Sequence, residues 1–175
     1  NGKDGSTDKM LAAIPEKKGE KSGHYQVSAH FNEKKIGTFF NRHPNGKVDQ
    51  RTDLFYLQTR EKGDTWSTVD NQLIEIPVTD INSPSKVVDY AELEKNIYLK
   101  DMTYDPQGNP ICLYIRSNGH EPGPKSSPYE WCITRWNGDE WMTHIITTSD
   151  HNYDMGSLLF QGEKLYLIGP TAIGP

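Results

Sequence analysis

Cysteine is scarce, long apolar runs are missing, and no excess of basic charge is present. Only two cysteines occur in 175 residues, Cys112 and Cys132. They share no C-x-x-C or Cys/His spacing, which excludes the usual sequence pattern of a zinc site. Each falls in an apolar, strand-like run, "PICLYIRS" and "EWCITRW". There a free, buried thiol behaves as a small hydrophobe; a bridge between neighbouring strands stays open. No apolar run approaches the roughly 18 residues of a membrane helix, and no signal peptide is visible. The net charge is −5 with histidine neutral. That argues against a nucleic-acid partner, because phosphate binding wants a basic face. Helix signals are thin too. The one candidate, "SKVVDYAELEKN" at 85–96, is short and β-branched in its first half.

Aromatic residues are plentiful instead, with 4 Trp, 9 Tyr and 5 Phe, far too many for a solvated tail. Residues 1–23 are rich in Gly and Lys around one apolar stretch, "MLAAI", and read as an arm or loop packed through Met10 to Ile14. From residue 24 to 175 the period is two. "YQVSAHF" alternates Tyr25, Val27, Ala29 and Phe31 against Gln26, Ser28 and His30. Similar runs follow at 35–41, 53–59, 72–77, 96–104, 110–117, 130–136, 140–148, 156–162 and 164–170. "DPQGNP" and "WNGDEW" between them are hairpin turns. Strands of this length between Gly, Pro, Asn and Asp turns predict an all-β fold.

Hairpin succession without βαβ spacing leaves a sandwich, a barrel or a propeller. The propeller is favoured by "TREKGDTW" at 59–66, which resembles a degenerate Asp-box turn. It is also favoured by the Trp-turn-Trp hairpin "RWNGDEW". A blade is four strands in about 40–50 residues. The chain is therefore expected to supply two to three four-stranded blades of a larger β-propeller, since a closed propeller needs at least about four.

Several stretches together resemble the BNR-repeat family of bacterial carbohydrate-active propellers. They are "GHYQVSAHF", "GTFFNRHPNGKVDQRTDLFYLQTREKGDTW", "YLKDMTYDPQGNPICLYIRSNGHEPGP", "SDHNYDMGSL" and "LIGPTAIGP". Ulvan-lyase-like enzymes and rhamnose-releasing hydrolases belong to that family. The resemblance implies a seven-bladed propeller with a polysaccharide or oligosaccharide across its central channel. It implies a secreted or periplasmic protein whose partner is the remainder of the same propeller. It implies no cofactor, with structural calcium as a conceivable use of Asp150 and Asp154, although no EF-hand-like spacing appears.

A uronate-cleaving lyase must neutralise the sugar carboxylate, remove the C5 proton and protonate the leaving oxygen. His24 precedes the first strand, and His43 sits in "FNRHPNG"; the spacing of the pair resembles the two active-site histidines of the ulvan-lyase-like enzymes. Tyr153, in the turn "SDHNYDMGSL", stands before a strand that would line the channel. Arg116 shares a strand face with Tyr114, opposite Ile111, Leu113 and Ile115. The expectation is therefore proton transfer by His24 and Tyr153, with the carboxylate held by His43 and Arg116. Relatives often carry an arginine where this chain has Tyr129. Arg51 and Asp53 read as a pair across a blade edge, without chemistry. A hydrolase would use paired carboxylates instead, and a non-catalytic glycan-binding propeller would use the tryptophans as platforms.

Overall fold

The computed structural model describes residues 9–172 apart from 16, 18 and 61. Twelve strands and two single 3-10 turns, Pro44–Gly46 and Pro124–Ser126, make up its regular structure: β1 Gln26–Phe31, β2 Lys35–Arg42, β3 Thr52–Thr59, β4 Trp66–Ser67, β5 Leu73–Ile74, β6 Lys86–Val88, β7 Asn96–Tyr104, β8 Pro110–Ser117, β9 Tyr129–Trp136, β10 Trp141–Ser149, β11 Ser157–Gln161 and β12 Lys164–Ile168. The strands form three antiparallel sheets in chain order. The first runs β1-β2-β3-β4-β5 with β6 also on β3, the second is the meander β7-β8-β9-β10, and the third is the hairpin β11-β12.

The turns between strands follow local chemistry. Asp105 accepts the N–H groups of Gln107 and Asn109, at 2.9 and 2.8 Å, and Gly108 supplies the left-handed residue at φ 85°. Asn137 does the same for Asp139 and Glu140 in the turn joining β9 to β10. Residues 85–96 form no helix: Lys86–Val88 pair with β3, and turns follow. The run at 72–77 contributes only Leu73–Ile74 to its sheet, because Pro77 cannot donate to a ladder.

Aromatic layers fill the spaces between sheets. On one side of the second sheet, Trp141 packs edge-on against Phe39 and Tyr56 of the first, with ring centroids 5.6 and 5.5 Å apart. The Tyr56 and Tyr104 hydroxyls meet there at 3.1 Å. On the other side, Tyr98, Leu113, Ile115, Tyr129 and Trp131 pack with Leu158 and Leu167 of the hairpin. A third cluster, around the stacked rings of Phe40 and Phe55, takes in Ile14 from the N-terminal stretch. Ala12 bridges Val78 there, while Met10 is exposed.

Two sequence expectations are settled here. Cys112 and Cys132 are free and buried. The face carrying Tyr114 and Cys112 is not open to a ligand, because it is as fully buried as the face carrying Leu113 and Ile115. Trp131 is packing rather than platform. It is fully buried, its Nε1 donates to the Pro170 carbonyl at 2.8 Å, and a Cβ at Gly156 would stand 2.7 Å from its Cη2. Urea denaturation will test this hub. Trp131→Ala will cost about 3–5 kcal/mol. Gly156→Ala will cost about 1–3 kcal/mol through overpacking, and less when combined with Trp131→Phe, which frees the space.

Candidate functional site

The first strands of the three sheets, β1, β7 and β11, lie side by side, with β7 in the middle. Hydrogen bonds tie the 43–51 loop to the start of β7 and to the segment before β1, and β7 to the 150–156 loop and the start of β11. Two irregularities shape this region. Register shifts interrupt β2 between Phe40 and Arg42 and β7 between Leu99 and Asp101. Such bulges bend a strand and re-aim its side chains.

Arg51 is the centre of the cluster. Its guanidinium carbon lies 4.3, 5.1 and 5.5 Å from the ring centroids of Tyr25, Tyr98 and Tyr153. Its Nε donates to the Val48 carbonyl at 2.8 Å. Among the described residues no carboxylate lies within ion-pair distance of it. The rings hold the cation through their negative faces. The Tyr153 hydroxyl donates to Asp49 Oδ1 at 2.9 Å, and the Tyr98 hydroxyl donates to the Asp49 carbonyl at 3.0 Å. Tyr153 is two-fifths exposed and Tyr98 is buried, so the cluster has a wet rim and a dry floor.

His43 lies against Tyr25, with ring centroids 4.7 Å apart. It is buried, and its Nε2 is buried without a hydrogen-bond partner among the described residues. Burial, then the charges of Arg51 and His24, push its pKa down to about 4, against a smaller opposing pull from Asp49. Lys100 donates from Nζ to the Asn152 carbonyl at 2.9 Å, and burial with Arg51 beside it lowers its pKa to about 8. The Tyr153 phenol is shifted upward, first by burial and then by its bond to Asp49.

Of the four residues expected from the sequence, His43 and Tyr153 stand in this cluster, the first against Tyr25 and the second against Arg51. His24 is next to His43 but has both nitrogens engaged. Its Nδ1 bonds the Asn41 carbonyl at 2.8 Å, and its Nε2 accepts the Ile14 N–H at 3.3 Å. It ties the N-terminal stretch to β2: Nδ1–H donates to the carbonyl and Nε2 is taken by the Ile14 N–H, so neither nitrogen is free to exchange a proton with a substrate. Arg116 is elsewhere, in the layer with Tyr90 and Cys132. It is held by Glu130 through Nε and Nη2 at 2.8 and 2.6 Å, so its charge is already answered. Tyr129, at the position where relatives carry an arginine, is buried with its hydroxyl on backbone carbonyls. Asp53 pairs with buried Arg42 at 2.8 Å, not with Arg51.

Tyr25, Asp49, Arg51, Tyr98 and Lys100 were not singled out for chemistry from the sequence. One signal was available: Tyr98 and Lys100 are two apart on a strand and share a face. Asp154 takes the Ser149 hydroxyl rather than a backbone N–H. Among the described residues no group of three or more His, Cys, Asp or Glu side chains is placed to hold a metal ion. Nor, among the described residues, is any helix long and apolar enough to cross a membrane.

The chain was compared with known proteins. A search of curated proteins finds no match. Two solved structures of a polysaccharide lyase family, the PL25 ulvan lyase, share the fold. One has a TM-score of 0.61 at 18% identity and covers 79% of this chain and 34% of its own. The other, described as bound to -[GlcA(1-4)Rha3S]-, has a TM-score of 0.66 at 17% identity and covers 86% of this chain and 37% of its own. This chain thus spans about a third of the length of those lyases. The likeness identifies the successive antiparallel sheets as blades of a β-propeller. The family model described as "BNR repeat-containing family member" matches residues 8–149, so the chain belongs to the BNR repeat family.

Proposed function

We propose that this chain carries the glycan-contacting end of a polysaccharide lyase acting by β-elimination at a uronate. Arg51, a cation with ring faces around it and no carboxylate partner among the described residues, is the observation that carries the reading. Arg51 is only partly buried, and the apolar ring faces around it strengthen its pull on an incoming carboxylate. Neutralising that carboxylate lets enolate-like charge develop when C5 loses its proton.

The proton roles follow from the altered acidities. His43 is neutral through the neutral pH range, since its pKa is lowered to about 4. It takes the C5 proton once its ring, buried at Nε2, turns toward the sugar. Desolvation and Arg51 are what weaken it as a base, and a uronate carboxylate bound beside it restores basicity. Tyr153, shifted upward, keeps its proton and gives it to the leaving oxygen. A hydrolase needs two free carboxyl groups. The carboxylates nearest here are Asp49, which holds Tyr153, and Asp154, which holds Ser149.

Incubating the full-length protein with a panel of uronate-containing polysaccharides will test the reading. A lyase gives an unsaturated product absorbing in the ultraviolet. New reducing ends without that absorbance mean hydrolysis, and retention of glycan with neither means a binding module; either result overturns the assignment. Arg51→Ala will lower kcat/KM by about 100-fold or more. Arg51→Lys will recover only part of it, because an ammonium cannot match a planar fork. Tyr153→Phe will lower kcat by about 100-fold or more. Arg116→Ala will leave kcat/KM within about threefold, since that side chain makes no contact with the reacting groups.

His43 also sets a pH dependence of stability. Its folded pKa, about 4, lies below the ordinary 6.5. The unfolded chain therefore binds a proton below 6.5 that the folded chain refuses until about 4. The stability from its neutral burial is complete above 6.5 and is lost as pH falls toward 4. Thermal melts of His43→Gln will run closer to wild type at pH 4.5 than at pH 7, by this argument; a constant gap would count against a neutral, buried His43.

A further inference from the structure

The 43–51 loop and the 150–156 loop meet only through side chains, and β7 ties down both. Tyr98 donates to the Asp49 carbonyl at 3.0 Å on the first loop. Lys100 donates to the Asn152 carbonyl at 2.9 Å on the second. Asp101, next in the chain, accepts the Leu158 N–H at 2.7 Å, just beyond the second loop. Regular alternation would send Lys100 and Asp101 to opposite faces. The register shift between Leu99 and Asp101 lets both reach the same neighbouring segment.

Lys100 is an unusual choice for such a tie. It is half-buried, and among the described residues no carboxylate stands within ion-pair distance. The charged groups around it are Arg51 from the first loop, which repels it, and Asp154 from the second, which attracts it. Asp49 and Tyr153 bond each other in the same cluster. A half-buried ammonium with one carbonyl partner opposes folding. The residue it grips, Asn152, is fully buried, with its Oδ1 unpartnered among the described residues. The next residue is Tyr153.

We propose that Lys100 is the positioning residue of this site: as a cation turned by the β7 bulge onto the Asn152 carbonyl, it holds the loop that sets Tyr153 against Asp49 and over Arg51. This rests on the lyase reading for its effect on catalysis but not for its effect on the loop. A charged donor makes the stronger hydrogen bond, so the grip slackens as pH rises through about 8. The fold responds in the opposite sense. The folded pKa lies below the ordinary 10.5, so the fold gains stability from this group as pH rises from about 8 toward 10.5. Positioning and stability therefore part company, which a merely structural lysine would not produce.

Lys100→Met and Lys100→Arg in the full-length protein test this. Lys100→Met will keep or raise the melting temperature. It will speed amide exchange in 152–155 by about tenfold, with exchange in β8 and β9 unchanged. It will lower kcat on the uronate polysaccharide by about 10- to 100-fold with little change in KM, because a displaced acid fails in the chemical step. Lys100→Arg, charged at every working pH, will keep the loop protected and carry the alkaline fall in kcat to higher pH. Wild-type exchange in the loop of Lys100→Met overturns the proposal, as does a loss of melting temperature with exchange raised throughout. If neither variant folds, the wild type decides: protection of 152–155 that falls relative to β8 above pH 8 supports the grip, and unchanged protection overturns it. If the wild type cleaves no uronate polysaccharide, the lyase reading fails, and loop exchange alone judges Lys100.

Discussion

Strand β8, in the interior of the second sheet, is buried on both faces, and what the sheet can offer a ligand depends on that constraint. One face packs Cys112, Tyr114 and Cys132 against the first sheet, and the other packs Leu113, Ile115 and Trp131 against the hairpin. A polar group inside such a layer must find its partner there. Tyr114 bonds both Tyr90 and Thr134, and Arg116 bonds Glu130. Those groups are spent on the fold. What can meet a ligand is pushed to the ends of β1 and β7 and to the loops beside them, where the sheets stop covering one another.

At that end the same desolvation acts on several titratable groups. Burial pushes the His43 and Lys100 values down and the Tyr153 value up. All three shifts favour the neutral form. Arg51 alone cannot follow, because a guanidinium stays protonated in proteins. Arg51 keeps its charge throughout, Lys100 keeps its own below about 8, and His43 is uncharged at neutral pH.

Most of the fold was legible because period two and turn chemistry are local signals. The runs at 96–104 and 110–117 are strands at those limits, and the Asp105 and Asn137 turns sit where Asn, Asp and Gly placed them. Strands of two or three residues, β4 and β6, leave no period to read. Of the four residues singled out from the sequence, His43 and Tyr153 stand in the Arg51 cluster. The partner of Arg116 is visible only in the register, where Glu130 stands directly across from it on β9. The partners of His24, the Ile14 N–H and the Asn41 carbonyl, are backbone groups from two different segments that no sequence pattern reveals. Arg51 was set aside with Asp53, two residues on, whereas Asp53 belongs to Arg42 across the β2–β3 ladder.

Three arginines in this chain show why sequence type alone does not assign a carboxylate-binding role. Arg42 and Arg116 each hold a carboxylate of the protein, the first pair fully buried. A uronate arriving at either would have to displace Asp53 or Glu130 and strand that anion, which for the buried Arg42–Asp53 pair costs about 3–5 kcal/mol and for the partly exposed Arg116–Glu130 pair less. Arg51 is stabilised by the faces of Tyr25, Tyr98 and Tyr153. A ring face steadies a cation without cancelling its field, and an incoming carboxylate can approach the guanidinium edge while the rings keep their contact. The fold thus commits two arginines to its own stability and leaves the third electrically open. That third one is beside the loop that presents Tyr153.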